Sequence, residues 1–240
     1  MTEWFEQWFG EEYLRLYPHR DDDEARQLAA LIERHAPYRG RRVLDLACGA
    51  GRHAVHFADR GARVVGFDLS MPLLSLARHR KDPPLDLVRG DMRRLPFRDG
   101  AFDLVVNLFT SFGYFADDAQ HRAVLEGAGA VLGDDGVFVL DYFNADSVRD
   151  SLVPHEERQL GQQRVAIDRG ISTDGRFVTK EIHLVDEGRS FVERVRLFSP
   201  DELADMLSGA GLSVRERMGD YGGGPLVSQA PRAIFIAERR

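Results

Sequence analysis

The sequence predicts an α/β protein built around a doubly wound parallel sheet. Short segments that are apolar at consecutive positions alternate with helical patterns from residue 42 onward, and a glycine-rich turn follows the first of these segments. Strands that are apolar on both faces belong to a sheet that helices cover on both sides. A chain of 240 residues buries enough surface to fold around such a sheet without disulfides or metals.

Two helices are expected before the sheet. Aromatic and leucine residues recur at helical spacing within residues 2–17, which predicts one helix over this segment. The acidic run at residues 21–24 favours the start of a second helix, because carboxylates stabilise a helix N-terminus. Pro37 and Gly40 end this second helix.

Five strands then alternate with helices. The strands are predicted at residues 43–46, 63–67, 85–88, 102–106 and 137–140. The helices are predicted at residues 51–60, from Ser70 onward with Pro72 in its first turn, and at residues 119–132.

An insertion with a different pattern follows the fifth strand. Three β-segments and the hairpin signal Asp174-Gly175 predict an antiparallel meander, with strands at residues 164–167, 177–185 and 191–198. A helix capped by Ser199 and two closing strands, at residues 214–218 and 233–237, complete the sheet.

This pattern divides the chain into three parts. They are an N-terminal helical cap (residues 1–40), a core (residues 41–143 and 199–240) and the meander (residues 144–198). Because the meander leaves the core after strand five, it is expected to lie over the carboxyl ends of the strands. Open α/β sheets bind their ligands there.

Composition limits the function. The net charge of −7 disfavours a broad nucleic-acid footprint. The longest apolar runs fall short of the ~20 residues that a membrane span needs, and the acidic, aromatic N-terminus lacks the basic region of a secretory signal. A single cysteine fits a reducing compartment. A cytoplasmic protein with a small-molecule ligand is expected.

The first strand leads into a glycine loop with the pattern of a nucleotide-binding turn. The segment G-A-G-R-H-A at residues 49–54 formally matches the dinucleotide fingerprint, and Asp68 closes the next strand, where it can accept hydrogen bonds from a ribose. The glycine loop and Asp68 are nearly as typical of a nicotinamide-dependent oxidoreductase as of other nucleoside-binding enzymes.

Two further acidic residues favour a different cofactor. Asp45 precedes Gly49 by four residues, and a carboxylate there would repel a pyrophosphate but attract an ammonium group. S-adenosylmethionine carries an ammonium and a sulfonium and no phosphate. Asp91 follows the third strand and is placed to accept from an adenine amino group, while Leu69 and Met92 could contact the two adenine faces.

These segments resemble the first three motifs of the class I S-adenosylmethionine-dependent methyltransferases, in their small-molecule branch. The resemblance covers residues 43–141 and resumes from residue 198 to the C-terminus. It implies a Rossmann-like sheet of seven strands, the last antiparallel, and methyl transfer to an oxygen or nitrogen of a small molecule. The expected cofactor contacts are Asp45, Ala47, Gly49, Gly51, Asp68, Leu69, Asp91, Met92 and Asn107.

The acceptor and the catalytic residues are not determined by the sequence. The aromatic run at residues 109–114 is expected to line the methyl-transfer channel or to pack in the core. Five residues are conceivable bases, namely Tyr114, Asp141, Tyr142, His155 and Tyr221. His53 and His56 are expected to be packing or surface residues rather than metal ligands, because no further ligand accompanies them.

Two alternatives to a methyltransferase stay open at this point. One is the oxidoreductase, which leaves Asp45 and Asp91 unexplained. The other is a non-catalytic module that binds S-adenosylmethionine and uses the meander to bind a partner. Exposed edges of the meander also suggest a homodimer.

Overall fold

A seven-stranded sheet and a four-stranded sheet form the framework of the protein in a computed structural model that describes residues 3–17, 22–81, 85–160 and 163–239. The strands are β1 (Arg42–Leu46), β2 (Arg63–Asp68), β3 (Asp86–Arg89), β4 (Phe102–Asn107), β5 (Leu132–Phe143), β6 (His155–Leu160), β7 (Gln163–Ile171), β8 (Phe177–Leu184), β9 (Arg189–Arg196), β10 (Leu212–Met218) and β11 (Arg232–Arg239). The helices are α1 (Trp4–Trp8), α2 (Glu11–Leu16), α3 (Asp22–His35), α4 (Arg52–Asp59), α5 (Met71–Arg78), α6 (Asp118–Val131), α7 (Ala145–Ser151) and α8 (Pro200–Gly209).

The larger sheet has the strand order β10-β11-β5-β4-β1-β2-β3. The pairings among β1 to β5 are parallel, and β11 pairs antiparallel with both of its neighbours. The strand order reverses between β1 and β4, and such a reversal opens a crevice for ligands at the carboxyl ends of the strands. The predicted doubly wound, Rossmann-like sheet with an antiparallel last strand is confirmed.

Helices cover both faces of this sheet. Consecutive strand residues point to opposite faces, so Val43 packs with Leu28 and Phe57 of α3 and α4, whereas Leu44 packs with Leu125 and the other buried residues of α6 and α8. The two apolar layers explain why the strands are apolar at consecutive positions.

The N-terminal segment differs from its prediction, because it forms two short helices instead of one. Gly10 adopts an extended backbone (φ −131°, ψ −150°) between α1 and α2, and glycine tolerates such a break at little cost. The break lets Trp8 turn into the interface with the smaller sheet, where its ring lies 4.9 Å from that of Phe191. The acidic run was expected to start the next helix. Asp22, Asp23 and Glu24 form the first turn of α3, and Asp21 lies outside the described residues.

The insertion after β5 forms the smaller sheet, with the order β6-β7-β8-β9 and antiparallel pairing throughout. The predicted meander is confirmed, but β6 and α7 were not expected. The sequence of β6, H-E-E-R-Q-L, lacks an apolar alternation because this strand is a largely exposed edge. Asn144 caps α7 by accepting from the backbone N–H of Asp146 at 3.3 Å.

One face of the smaller sheet is covered by α1 and α2. Val165, Ile182 and Leu184 pack there against Trp8 and Tyr13. The N-terminal helices therefore lie between the two sheets. The division into cap, core and meander stays a prediction. None of the helices in the described part of the chain has the length and hydrophobicity that a membrane crossing requires.

A buried histidine joins α6 to the segment after β4. His121 is fully buried, and its ring lies about 5.2 Å from the rings of Phe112 and Phe115 and 5.1 Å from that of Phe198. Its Nε2 accepts from the backbone N–H of Phe115 at 3.2 Å, so the neutral ring fits this site. Burial lowers the pKa of His121 to about 4, although the charge of Asp118 opposes the shift.

The neutral state of His121 predicts a loss of stability in mild acid. Its pKa is lower in the folded protein than its ordinary 6.5, so the unfolded chain takes up the proton first as the pH falls from 6.5 to 4. The free energy of unfolding is expected to fall by about 3 kcal/mol over that range because of this residue. The comparison is urea unfolding of the wild type and of His121→Gln, which keeps a hydrogen-bond acceptor, at each pH. An equal pH slope in both proteins would contradict the assignment.

Candidate functional site

A cavity of about 1480 Å³ opens at the carboxyl ends of the central strands. The loops after β1, β2, β3 and β4 form one side, and α1 and α2 lie over it. The inner face of the smaller sheet forms the opposite side. A drug-sized ligand usually occupies about 300–1,000 Å³, so this cavity has room for a cofactor and a second molecule.

The glycine loop after β1 has an unusual backbone. Ala47, Gly49 and Gly51 have φ of +63°, +55° and +76°. Ala47 and Gly49 line the cavity, but Gly51 does not. A Cβ at Gly51 would lie 3.0 Å from the Cβ of Ala77, so this glycine is required for contact between the loop and α5. Strain at Ala47, of about 1–3 kcal/mol for such a backbone, is a common mark of functional sites.

Asp68 connects two loops at the end of β2. One carboxylate oxygen accepts from the backbone N–H of Gly49 and the other from that of Ser70, both at 2.8 Å. Burial raises the pKa of Asp68, and these backbone hydrogen bonds oppose the shift. The carboxylate lines the cavity and has lone pairs left for a ribose.

Asp45 lies in the centre of the sheet, opposite Gly66 in β2 and Val106 in β4. It is 1% exposed, and its Oδ2 has no hydrogen-bond partner among the described residues. Burial, together with the charge of Asp68, raises the pKa of Asp45 to about 7. It does not line the cavity, so it can act on a bound ammonium only through its charge or a bridging group.

The loop after β3 presents Asp91 and Met92 to the cavity, and Leu69 lines it from the loop after β2. Arg93 donates to both oxygens of Asp91, through Nε at 3.0 and 2.9 Å and through Nη2 at 2.6 Å. Burial disfavours the charged form of Asp91, but the hydrogen bonds and charge of Arg93 outweigh it and lower its pKa. An ionised carboxylate beside two apolar side chains fits an adenine.

Asn107 has a different place from the one expected. It is fully buried at the end of β4, and its Nδ2 donates to the carbonyl oxygen of Leu46 at 3.0 Å. It therefore joins β4 to β1 beneath the cavity, which it does not line. Its part in cofactor binding stays a prediction, as do those of the other expected residues.

Six of the nine expected residues meet around the cavity. They are Ala47, Gly49, Asp68, Leu69, Asp91 and Met92. Their acidic, glycine and apolar groups match the ribose, methionine and adenine parts of S-adenosylmethionine. The buried carboxylate of Asp45, whose Oδ2 has no partner among the described residues, can attract the ammonium group through its charge, so the residues present suit this cofactor.

The loop after β4 was only partly anticipated. Phe109, Thr110 and Tyr114 line the cavity, whereas Phe112 is buried in the core. Phe109 and Thr110 have φ of +55° and +60°, which side chains rarely adopt. Asp141 on β5 holds them there, because its carboxylate accepts from the Phe109 N–H at 2.8 Å and its carbonyl oxygen from the Thr110 N–H at 2.9 Å.

Asp141 also binds two distant groups that the sequence did not reveal. Arg232 on β11 donates to its Oδ1, through Nε at 2.8 Å and Nη2 at 2.7 Å. The hydroxyl of Tyr221 donates to its Oδ2 at 3.0 Å. Burial disfavours the charge of Arg232, but the charge of Asp141 outweighs this and raises the pKa of Arg232. Tyr221 and Arg232 lie 80 and 91 positions after Asp141 in the sequence. No local sequence pattern therefore indicated these contacts.

Aromatic side chains close the cavity from above. The indole N–H of Trp4 donates to the carbonyl oxygen of Tyr114 at 3.2 Å, and Phe9 lies 5.5 Å from the Tyr114 ring. Ser70 donates its hydroxyl to the carbonyl oxygen of Phe9 at 2.5 Å. The N-terminal helices are thus attached to the same loop that Asp68 holds.

The five conceivable bases occupy different environments. Tyr114 lines the cavity, but Asp141, Tyr142, His155 and Tyr221 do not. Tyr142 is fully buried and donates to the carbonyl oxygen of Arg196. His155 is exposed and pairs with Asp168 at 2.7 Å.

Known proteins similar to this chain are methyltransferases, which agrees with a site suited to S-adenosylmethionine. Residues 43–136 match the model of a methyltransferase domain family. A dTDP-3-amino-3,6-dideoxy-alpha-D-glucopyranose N,N-dimethyltransferase of Streptomyces fradiae is 33% identical over 218 residues, which cover 88% of this chain and 84% of that protein. The structure of CalS10 with bound S-adenosylmethionine, an amino pentose methyltransferase from Micromonospora echinaspora, has a TM-score of 0.70 and 27% identity, over 95% of this chain and 96% of that one.

The fold extends to more distant structures. The CcbJ methyltransferase of Streptomyces caelestis has a TM-score of 0.81 at 22% identity, over 97% of this chain and 98% of that one. The two alternatives, an oxidoreductase and a non-catalytic module, do not fit these relationships. The cofactor is S-adenosylmethionine, and the chain belongs to the class I S-adenosylmethionine-dependent methyltransferases that act on small molecules.

Proposed function

We propose that this enzyme methylates an amino nitrogen of a polar, sugar-like small molecule. The observation that carries the proposal is the composition of the cavity beyond the cofactor residues. There the smaller sheet contributes polar side chains to the lining, among them Thr179, Arg158 and Arg169, which suit a molecule rich in hydroxyl groups. Proteins named as amino-sugar N,N-dimethyltransferases, of Streptomyces fradiae and Streptomyces venezuelae, are 33% and 30% identical to this chain.

The cofactor is proposed to occupy the end of the cavity at the seven-stranded sheet. Asp68 would hold the ribose, Asp91 the adenine amino group between Leu69 and Met92, and the loop at Gly49 the methionine part. S-adenosylmethionine supplies an electrophilic methyl group on a sulfonium sulfur. The protein's contribution is to orient the acceptor and exclude water, and such positioning lowers barriers by up to about 7–11 kcal/mol.

An amino acceptor agrees with the groups that surround the cavity. A neutral amine already carries its lone pair, so it attacks without prior loss of a proton, whereas an alcohol needs a base in the transition state. Of the five conceivable bases only Tyr114 lines the cavity. The other four are buried in hydrogen-bonded groups or exposed outside the cavity. Methyl transfer to an amino nitrogen depends less on these residues than transfer to a hydroxyl oxygen would.

Location and assembly stay predictions. The one cysteine, Cys48, is buried and unpaired, which is consistent with the cytoplasm. A homodimer through the smaller sheet would use the edge strand β6, whose charged side chains oppose strand pairing. Sedimentation at high protein concentration tests the dimer.

The acceptor class is tested by product analysis. Purified enzyme and S-adenosylmethionine are incubated with amino sugars, their nucleotide-linked forms and the matching hydroxy sugars, and products are identified by mass spectrometry. We expect N-methyl products from the amino compounds alone. Methylation confined to hydroxyl groups would contradict the proposal.

The role of Asp68 is tested by cofactor binding. Asp68→Ala removes a charge-assisted acceptor and the support of two loops, so we expect S-adenosylhomocysteine to bind about 10–100-fold more weakly. Calorimetric titration measures this. Asp86→Ala, at an exposed site on the neighbouring strand, is the control and should bind normally. Unchanged affinity in a folded Asp68→Ala variant would refute the assignment.

The role of Asp45 is tested through the pH dependence of stability. Its folded pKa, about 7, exceeds its ordinary 3.8, so the folded state loses stability as the pH rises from about 4 to 7. Asp45→Asn should remove this loss, which is on the order of 4 kcal/mol.

A bound ammonium should also reduce that loss in the wild type, because it stabilises the carboxylate. We therefore expect a flatter pH profile of unfolding with saturating S-adenosylhomocysteine than with 5′-methylthioadenosine, which lacks the amino acid part. Identical profiles with the two ligands would show that Asp45 does not act on the ammonium.

A further inference from the structure

A row of charged side chains crosses the inner face of the smaller sheet. Arg169, Lys180 and Glu193 are direct neighbours across β7, β8 and β9, and all three line the cavity. The same face carries Val165, Ile167, Ile182 and Leu184 further along β7 and β8, packed against α1 and α2. The charges therefore follow directly on an apolar surface formed by β7 and β8.

These charges are partly withdrawn from water. The side chains of Arg169 and Lys180 are 21% exposed and that of Glu193 is 19% exposed. Withdrawing charges from water is costly unless they are paired or serve a ligand. Each charge in the row thus requires an explanation.

Part of the row has a structural role. Glu193 accepts from the indole N–H of Trp8 at 2.7 Å, and Lys180 donates to the hydroxyl of Tyr17 at 2.7 Å and to Glu193 at 3.3 Å. These bonds attach the N-terminal helices to the smaller sheet. Lys180 and Glu193 are explained by that attachment.

Two arginines do not take part in that attachment: Arg169 at the end of the row, and Arg158 on β6, outside the row, whose side chain is 54% exposed. Arg169 donates to Glu156 at 2.8 Å and, through Nη1, to the carbonyl oxygen of Val153 at 3.4 Å. Arg158 donates to the same Glu156 carboxylate through its Nε. Neither arginine has a hydrogen bond to α1 or α2 among the described residues. No hydrogen bond from the two Nη groups of Arg158 occurs within the described part of the chain either. All three side chains line the cavity.

The charge balance on this side is positive. The smaller sheet contributes three cations and two carboxylates to the cavity lining, although the whole chain carries a net charge of −7. One carboxylate, Glu156, is shared by two guanidinium groups. The cofactor brings its own positive sulfonium and does not account for further cations on the opposite side of the cavity.

We propose that Arg158 and Arg169 bind an anionic group, a phosphate or a carboxylate, that the methyl acceptor carries apart from its reacting nitrogen. Guanidinium groups suit such oxyanions because they donate paired hydrogen bonds in a fixed plane. This inference rests on the proposed function, since it takes the smaller-sheet side of the cavity as the acceptor side. It adds the acceptor's charge and the two residues that recognise it.

The test uses anion binding and needs no turnover. The full-length protein, saturated with S-adenosylhomocysteine, is titrated with inorganic pyrophosphate and separately with succinate by calorimetry. We expect at least one probe to bind in the millimolar range or tighter, and Arg158→Gln and Arg169→Gln each to weaken it at least about tenfold. Binding of pyrophosphate alone assigns a phosphate to the acceptor, and binding of succinate alone assigns a carboxylate.

Arg164→Gln is the matched control. Arg164 also lies on β7 and pairs with a carboxylate, Asp186 at 3.0 Å, but it is exposed and does not line the cavity. The Arg164→Gln variant should bind the probe with the same affinity as the wild type. The affinity for S-adenosylhomocysteine should be unchanged in all three variants, which verifies that they fold.

Three results would overturn the inference. They are no binding of either probe, equal binding by the wild type and both cavity variants, or an equal loss in Arg164→Gln, which would mean a non-specific surface charge effect. Failure of the amino-sugar screen would refute the proposed acceptor atom but would leave these titrations unaffected. The two proposals therefore fail separately.

Discussion

The hydrogen bonds of the Asp68 carboxylate are the interaction on which the seven-stranded-sheet end of the cavity depends. Its two oxygens fix the backbone of Gly49 after β1 and of Ser70 after β2. Ser70 in turn donates to the carbonyl oxygen of Phe9, so the N-terminal helices are positioned through the same residue. One acid at the end of β2 thus sets the glycine loop, the start of α5 and the cover of the cavity.

A second acid performs the same task on the opposite side of β1. Asp141 keeps Phe109 and Thr110 in a backbone conformation that costs about 1–3 kcal/mol for each residue. Arg232 and Tyr221 complete its hydrogen bonds, so the buried charge is fully satisfied. Because the loop after β4 is held rigidly, it can present a fixed surface to a reacting molecule.

The cavity has two sides of different chemistry. The side at the seven-stranded sheet presents Asp68, Asp91 and apolar groups suited to a nucleoside, together with several basic side chains. The side at the smaller sheet presents arginines, a lysine, two glutamates and Thr179. The N-terminal helices join the two, since Trp8 donates to Glu193 and Phe9 accepts from Ser70. Under the proposed function, cofactor and acceptor are bound by side chains of different sheets, so the acceptor side can vary without disturbing the other.

The sequence by itself determined the central sheet and the cofactor. Strands buried on both faces must be apolar at consecutive positions, and the acids Asp45, Asp68 and Asp91 lie within, at the end of or just after such strands. Both signals are local, so they are readable along the chain. The expected place of Asn107 was less successful, because a residue at a strand end can point below the cavity as well as into it.

Only the tertiary structure decided the composition of the smaller-sheet side of the cavity. Strand β6 is a charged edge strand without an apolar pattern, and the row of Arg169, Lys180 and Glu193 forms only when β7, β8 and β9 pair in their observed register. The contact of Arg232 with Asp141 joins residues 91 positions apart. Long-range pairing leaves no periodicity in the chain, because each partner looks like an ordinary polar residue until folding brings the two together.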